Sequence, residues 1–490
     1  MARGEASERK DKVIRWFKDP WNLALVVLLV LAFVIRIHYF NLTSQQAVWW
    51  DEGEYLIKAK NFAFGLPDSG WWDGRPILLP IILAVLFKIG FTEVAIKFLY
   101  VLVSTASVWL LYLAGKEIFK DKKIALIAPA FLAVFWLELV LFTRILTEIW
   151  VQFFVIGATY FYIKGIKSPG RYLYLAALFA SFAFLMKWTA ALLLPVFVLY
   201  FILFERKKLT NKKVWIAALI GIVIVGLYFI YNKTVFGKFL GPLTDAASGF
   251  GGNIDPGQYT WQKSLVNQSS YIRGYLGLVG GILFLISFLL LILELYIYRG
   301  RFGKSENKEI LLPLFLFLGY LIFLLRIYSE DNRNLFPAIF AIFLLIAYVF
   351  QSVCFWFKNG KKYVLVLAII AVIAFAYFSL PMADTIIKGK INGYADLKEA
   401  GLWLKQNSLP GENILSAALP QLTYYSEKEI YSFSGGREVV EERIRENNIK
   451  YMVLTAWEKS PDWAAQEEFV NSNKFILVKG YPNTVILKKD

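Results

Sequence analysis

The sequence predicts a polytopic α-helical membrane protein of about 11 spans, with interfacial helices in its first outer loop and a small α/β domain at its C-terminus. Three observations lead there. Of 490 residues, 58% are hydrophobic and only 18% charged, against about 45–50% and about 25% in soluble domains. Many apolar stretches reach the roughly 20 residues needed to cross a hydrocarbon core. The 53 lysines and arginines gather in short runs between those stretches, which is how the positive-inside bias distributes them. The net charge of +16 is therefore a membrane signature, and nucleic-acid binding is set aside. Cys354 is the single cysteine and His38 the single histidine, so neither a disulfide framework nor a Cys- or His-rich metal centre is available.

Basic residues Arg9, Lys10, Lys12, Arg15 and Lys18 precede the first span, residues 21–40, and place the N-terminus in the cytoplasm. The leader lacks a small-residue cleavage signature, so the first span is expected to stay as an anchor. Residues 41–75 are then an outer loop. The apolar run 76–89 is too short to cross and reads as an interfacial or re-entrant helix. With that run kept outside, the spans alternate through 94–115, 124–142, 149–163, a tight hairpin 172–204, 214–231, 271–298, 310–325, 335–357 and 363–380. Every basic cluster then falls on the cytoplasmic side. Sequons at Asn41, Asn232 and Asn267 land in expected outer loops. The transmembrane part is read as residues 1–382. The tail, 383–490, is polar, with helix-like 396–406, 437–446 and 464–471 and apolar strand-like runs at 413–417, 451–455, 475–478 and 485–488. That alternation is the pattern of a small α/β domain.

The organising stretch is Val48-Trp49-Trp50-Asp51-Glu52-Gly53-Glu54-Tyr55, with its sequel Gly70-Trp71-Trp72-Asp73-Gly74-Arg75-Pro76. Its carboxylates repel one another, and tryptophans favour the headgroup zone. There a carboxyl's pKa rises unless a cation supports it, which suits it to accepting a hydroxyl proton. The alternative is a solvated acidic loop. Arg75 offers a planar fork for a phosphate, or a local ion pair with Asp73. Glu148, beside Arg144 and Thr147, either serves the site or pairs with Arg144. Lys187 either snorkels from the tip of its hairpin or acts at the site. Arg333, after Glu330 and Asp331, reads as a phosphate contact. For Glu138, Lys88, Lys97, Arg326 and His38 the structural explanation stands ahead. In this register the outer face gathers carboxylates (Asp51, Glu52, Asp73, Glu148) and cations (Arg75, Lys187, Arg333), the pairing needed by a base working beside phosphate clamps.

The Asp51-Glu52 pair after the first span, Arg75-Pro76, Leu146-Thr147-Glu148, Met186-Lys187-Trp188 leading to Pro195, and Arg333-Asn334-Leu335-Phe336-Pro337 resemble the ordered landmarks of the GT-C glycosyltransferases. The nearest branch is the family-39 group of protein O-mannosyltransferases and bacterial aminoarabinose transferases. The resemblance covers about residues 20–340 and omits the tail. It implies inverting transfer of a hexosyl or pentosyl group from a polyprenyl-phosphate (dolichyl-phosphate) donor to a protein, lipid or glycan acceptor outside the cytoplasm. By the same resemblance Asp51 is the general base, Glu52 its support and Glu148 a second acid. Arg75, Lys187 and Arg333 neutralise the departing phosphate, with Glu54, Asp73 and Arg144 as further candidates. Some relatives use a metal, and Asp51, Glu52, Asp73 and Glu148 could hold Mg²⁺ or Mn²⁺, though nothing requires it. The chain departs from the family pattern at Ile77 and Asn334, positions that bear on both pockets. Two other classes stay open: a secondary transporter, whose intramembrane charges would line a path, and a non-catalytic glycan-binding subunit.

Overall fold

The computed structural model describes residues 14–240, 260–297, 308–326, 332–356 and 361–490. Among these, 8 helices are long and apolar enough to cross a membrane: Pro20–Thr43, Glu93–Phe119, Thr147–Lys167, Lys212–Phe236, Trp261–Ile297, Lys308–Arg326, Arg333–Trp356 and Tyr363–Lys388. The hairpin 172–204 resolves into Arg171–Met186 and Leu193–Phe204, separated at Lys187. The stretch 124–142 is not one span but three short helices, Lys122–Ala125, Ile127–Ala133 and Trp136–Leu141. Leu78–Lys88 has 11 residues, about 16 Å at 1.5 Å per residue, half of what a crossing needs.

The chain forms two compact units. One comprises Met1–Asn41, Tyr100–Phe142 and Thr147–Ile386; the other comprises Leu42–Leu99, Thr143–Leu146 and Ile387–Asp490. The first is helical, and its polar interior centres on Arg36, a fully buried arginine in the first span. Arg36 donates to Ser104 Oγ (2.7 Å), Ala32 O (3.1 Å) and Ala133 O (3.2 Å) and lies 3.8 Å from the equally buried Glu138 carboxylate. The Ala133 carbonyl is freed where the broken span interrupts its helix, and Ser379 Oγ accepts from Trp136 N (2.6 Å) where the helix resumes. A break at membrane depth is tolerated when side chains satisfy the freed backbone in this way.

The second unit carries a 5-stranded sheet of order β2-β1-β3-β5-β4: β1 Asn413–Ser416, β2 Ile430–Tyr431, β3 Ile449–Thr455, β4 Phe475–Tyr481 and β5 Thr484–Lys489. β1 pairs in parallel with β2 and β3, while β5 runs antiparallel to β3 and β4. Successive strand side chains point to opposite faces. Ile414, Tyr451, Val453 and Ile486 therefore pack on one side with Leu397, Leu404 and Leu422 of the helices Ala395–Asn407 and Leu419–Ser426. Leu415, Met452 and Leu487 pack on the other with Val440, Ile444 and Phe469 of Arg437–Glu446 and Glu467–Ser472. The same unit holds the helices Trp50–Phe64 and Leu78–Lys88, which pack together.

Several expectations are corrected. The acidic stretch is helical rather than loop, because carboxylates in a first turn meet the positive end of the helix dipole and Glu52 accepts from Trp49 N (2.9 Å). All three sequons are helical: Asn41 in Pro20–Thr43, Asn232 (fully buried) in Lys212–Phe236, and Asn267 in Trp261–Ile297. Their polar residues lie on helices, which a sequence window does not distinguish from loop. Arg9, Lys10, Lys12, Arg299, Arg301, Lys304, Glu330, Asp331 and Lys358 lie outside the described residues.

Candidate functional site

The sequence-identified residues form three clusters, two in the sheet-bearing unit and one in the helical unit. The first is built around Arg75. On Trp50–Phe64, Asp51, Glu54 and Tyr55 are spaced i, i+3, i+4, so they share one face. Arg75 reaches that face from the turn Gly70–Pro76. Its Nη2 donates to Asp51 Oδ1 at 2.7 Å, its Nη1 donates to the Tyr55 hydroxyl at 3.2 Å, and its Nε contacts Glu54 Oε2. Glu54 also accepts from Trp50 Nε1 at 3.0 Å. Burial opposes the charge on Arg75, but Tyr55, Glu54 and Asp51 together outweigh it and hold the guanidinium firmly protonated. Arg75 thus bridges two acids of the expected floor.

The acids differ in access. Asp51's side chain is 28% exposed, those of Glu54 and Glu52 only 5% and 1%. Burial pushes the Glu54 carboxyl up to about 7, with Asp51 adding to the rise and Arg75 opposing it. The folded protein therefore favours protonated Glu54, so that contribution to stability is full below about 4.5 and is lost as pH rises through about 7. Glu54→Gln is expected to flatten the dependence of the thermal midpoint on pH between 5 and 8. An unchanged slope refutes the assignment.

The second cluster is structural in geometry. Glu52 Oε1 accepts from Ile145 N (2.8 Å), and Glu52 Oε2 accepts from Trp49 N and lies 3.3 Å from Arg144 Nη1. The Arg144 guanidinium lies 3.6 Å from the centre of the Trp49 ring, a cation–π contact as well as an ion pair. Burial lowers Arg144's pKa, and Glu52 works against that fall. Arg144 thus pairs with Glu52, and Glu148 pairs elsewhere. Asp73 is exposed in its turn and makes no ion pair among the described residues.

The third cluster lies in the helical unit. Lys187 sits in extended backbone between two helices (φ −155, ψ 129), which frees its side chain from a helical ladder. Its Nζ donates to Glu148 Oε1 at 2.8 Å, and Thr147 Oγ1 donates to Glu148 Oε2 at 3.4 Å. Arg333, on the short 3-10 segment Asn332–Ala338 that packs on Thr147–Lys167, is near enough for its charge to act on Glu148. Lys187 by a hydrogen bond and Arg333 by its charge thus both act on one buried carboxylate (4% exposed). Arg36 was not singled out in the sequence, although it is the largest wholly buried side chain among the described residues. A lone arginine within a span was the available signal.

Among the described residues no three of His, Cys, Asp or Glu come together as metal ligands. Glu52's oxygens are taken by backbone N–H groups and Arg144, so the four-carboxylate donor set is not assembled.

Comparison with known proteins bears on the fold. Residues 74–230 match the family described as dolichyl-phosphate-mannose-protein mannosyltransferase. No curated protein sequence matches the chain. Among solved structures, ArnT from Cupriavidus metallidurans bound to undecaprenyl phosphate is similar with TM-score 0.67 at 12% identity, over 94% of this chain and 97% of that one. The apo Archaeoglobus fulgidus oligosaccharyltransferase is similar with TM-score 0.60 at 13% identity, over 97% of this chain and 75% of that one. The same oligosaccharyltransferase tethered to an acceptor peptide containing the NVT sequon gives TM-score 0.56 at 14% identity, over 97% and 75%. The chain is thus an integral membrane protein with the GT-C glycosyltransferase fold, carrying in residues 74–230 the sequence pattern of the dolichyl-phosphate-mannose-protein mannosyltransferase family.

Proposed function

We propose that this protein transfers a sugar from a polyprenyl-phosphate donor to an acceptor on the extracytoplasmic side, with inversion and with Asp51 as general base. The observation that carries the assignment is selective access: of the three acids in the first turns of Trp50–Phe64, only Asp51 keeps a substantial part of its carboxylate exposed. In this reading the acceptor hydroxyl gives its proton to Asp51 while its oxygen attacks the anomeric carbon. The bond from that carbon to the lipid phosphate oxygen breaks on the opposite face. Arg75 holds Asp51, and Lys187 and Arg333 neutralise the departing phosphate. Further support comes from the ArnT relative, whose structure is bound to undecaprenyl phosphate. The N-terminus is cytoplasmic, and residues 41–75 and the tail are extracytoplasmic. No metal is assigned. An acceptor peptide is bound in one relative, so protein acceptors are tested first.

The test reconstitutes the protein in vesicles with radiolabelled dolichyl-phosphate mannose or undecaprenyl-phosphate aminoarabinose and an extract of envelope proteins and lipids. Label appearing in the acceptor with inverted anomeric configuration is expected. Sugar uptake without transfer, or no transfer from either donor, overturns the reading. Lys187→Met removes a charge-assisted hydrogen bond of about 1.5–3 kcal/mol. We expect donor KM to rise roughly tenfold to a hundredfold, read by initial rates across donor concentrations.

A further inference from the structure

The sheet-bearing unit joins the acidic helix Trp50–Phe64 to the C-terminal domain at both ends of that helix. Just before its first turn, Val48 N donates to the Tyr425 hydroxyl at 2.9 Å, Lys398 Nζ donates to Gln45 O at 3.0 Å, and Gln46 Nε2 donates to Lys390 O. Trp49, the residue before the helix, carries Arg144 against its ring and also Lys390 Nζ, 4.8 Å from the ring centre. Towards the far end, Lys60 Nζ donates to Tyr424 O (3.2 Å) and to Glu427 (2.7 Å). Beyond the helix, Ser69 O accepts from Thr423 Oγ1 (3.1 Å), and Ser69 Oγ donates to Glu429 (2.6 Å). The helix Leu419–Ser426 lies directly on Trp50–Phe64. A Cβ at Gly53, two residues after Asp51, would stand 3.0 Å from the Pro420 carbonyl carbon. The approach is close enough that only glycine fits without displacement.

We infer that the C-terminal domain is a positioning element for Asp51, acting through Tyr425 on the Val48 backbone and through Lys390 on the Trp49 ring, just before the acidic helix starts. The inference rests on the proposed function above. A general base must be held within a few tenths of an ångström of its working position, and misplacement by about 1 Å can cost on the order of 10² in rate. Buried Tyr425 has its hydroxyl pushed well above the ordinary range by burial, with Glu93 adding to it, so it meets Val48 N as a neutral acceptor. Lys390 is exposed, so changing it does not open the core.

The test measures kcat and donor KM in full-length protein with radiolabelled dolichyl-phosphate mannose or undecaprenyl-phosphate aminoarabinose, whichever supports transfer, for Asp51→Asn, Tyr425→Phe, Lys390→Gln and Lys390→Arg. Tyr425→Phe and Lys390→Gln are expected to lower kcat roughly tenfold to a hundredfold while donor KM stays within about twofold. Lys390→Arg, which keeps a cation on the Trp49 ring, restores kcat. A role in folding alone would instead lower the thermal midpoint and active fraction, leaving kcat per active molecule unchanged. If Tyr425→Phe fails to fold, the two Lys390 variants decide. Loss in Asp51→Asn with wild-type kcat in Lys390→Gln overturns the inference and leaves the functional reading standing. Wild-type turnover in Asp51→Asn sinks the functional reading itself.

Discussion

Asp51→Asn is expected to lower transfer by about 10²–10⁴, the range spanned by a general base, and to leave donor KM near its wild-type value. Asparagine keeps the shape of aspartate and an oxygen for Arg75 Nη2, so the 2.7 Å contact can persist without a basic carboxylate. Arg75 also keeps its contacts with Glu54 and the Tyr55 hydroxyl, which hold the cluster together. The measurement is single-turnover transfer from a labelled lipid donor, with donor binding followed separately. Full activity in the variant would falsify the assignment of Asp51. Alkaline rescue or a shifted pH profile without a drop in the maximal rate would move the base to another group.

Glu52→Gln has its largest effect on stability. Glu52 is 1% exposed and its oxygens take two backbone N–H groups and Arg144. Removing its charge leaves the buried guanidinium uncompensated, at a cost of about 3–5 kcal/mol. The denaturation midpoint of the sheet-bearing unit should fall sharply, together with the yield of folded protein. Replacing both partners (Glu52→Leu with Arg144→Met) is expected to be milder than Glu52→Gln alone, because no unpaired charge is then buried. Equal stability of Glu52→Gln and wild type would show that Arg144 finds its countercharge elsewhere. Thus two adjacent acids differ in surroundings: Asp51 is partly exposed beside Arg75, and Glu52 is buried where it secures Trp49, Arg144 and Ile145.

Much of this was legible in the sequence. A run of about 33 apolar residues is too long for one crossing, and Lys187 marked the point where it turns. Asp51, Glu54 and Arg75 stood out in the sequence as candidates, but as members of a loop; their shared helix face and the Tyr55 contact with Arg75 came only with the fold. That these residues were helical was obscured by charge and by Gly53, which interrupt apolar periodicity. The start signals were nonetheless present, in the acidic first turn and in Glu52 at its third position. In the tail, Arg437–Glu446 and the longer strands follow their hydrophobic pattern, but Leu419–Ser426 and β2 have 8 and 2 residues. Segments that short carry no measurable period. Arg36 was hidden by its surroundings, since its partners Ser104 and Glu138 come from distant segments that only folding brings together.

Arg36 also bears on how the chain is made. The first span carries its arginine into the bilayer before Glu138 has been synthesised, about a hundred residues later and roughly 5–20 s at ordinary elongation rates. Until then the insertion machinery must accept an unneutralised guanidinium in a segment of mean hydropathy 2.5, at a cost below the roughly 2.5–3.5 kcal/mol of a helix centre, because Arg36 lies past the middle of its span. The surrounding leucines and valines outweigh that cost. Assembly of the helical unit is thereby tied to synthesis order: the first span waits in lipid for its countercharge, and quality control has an interval in which to inspect it.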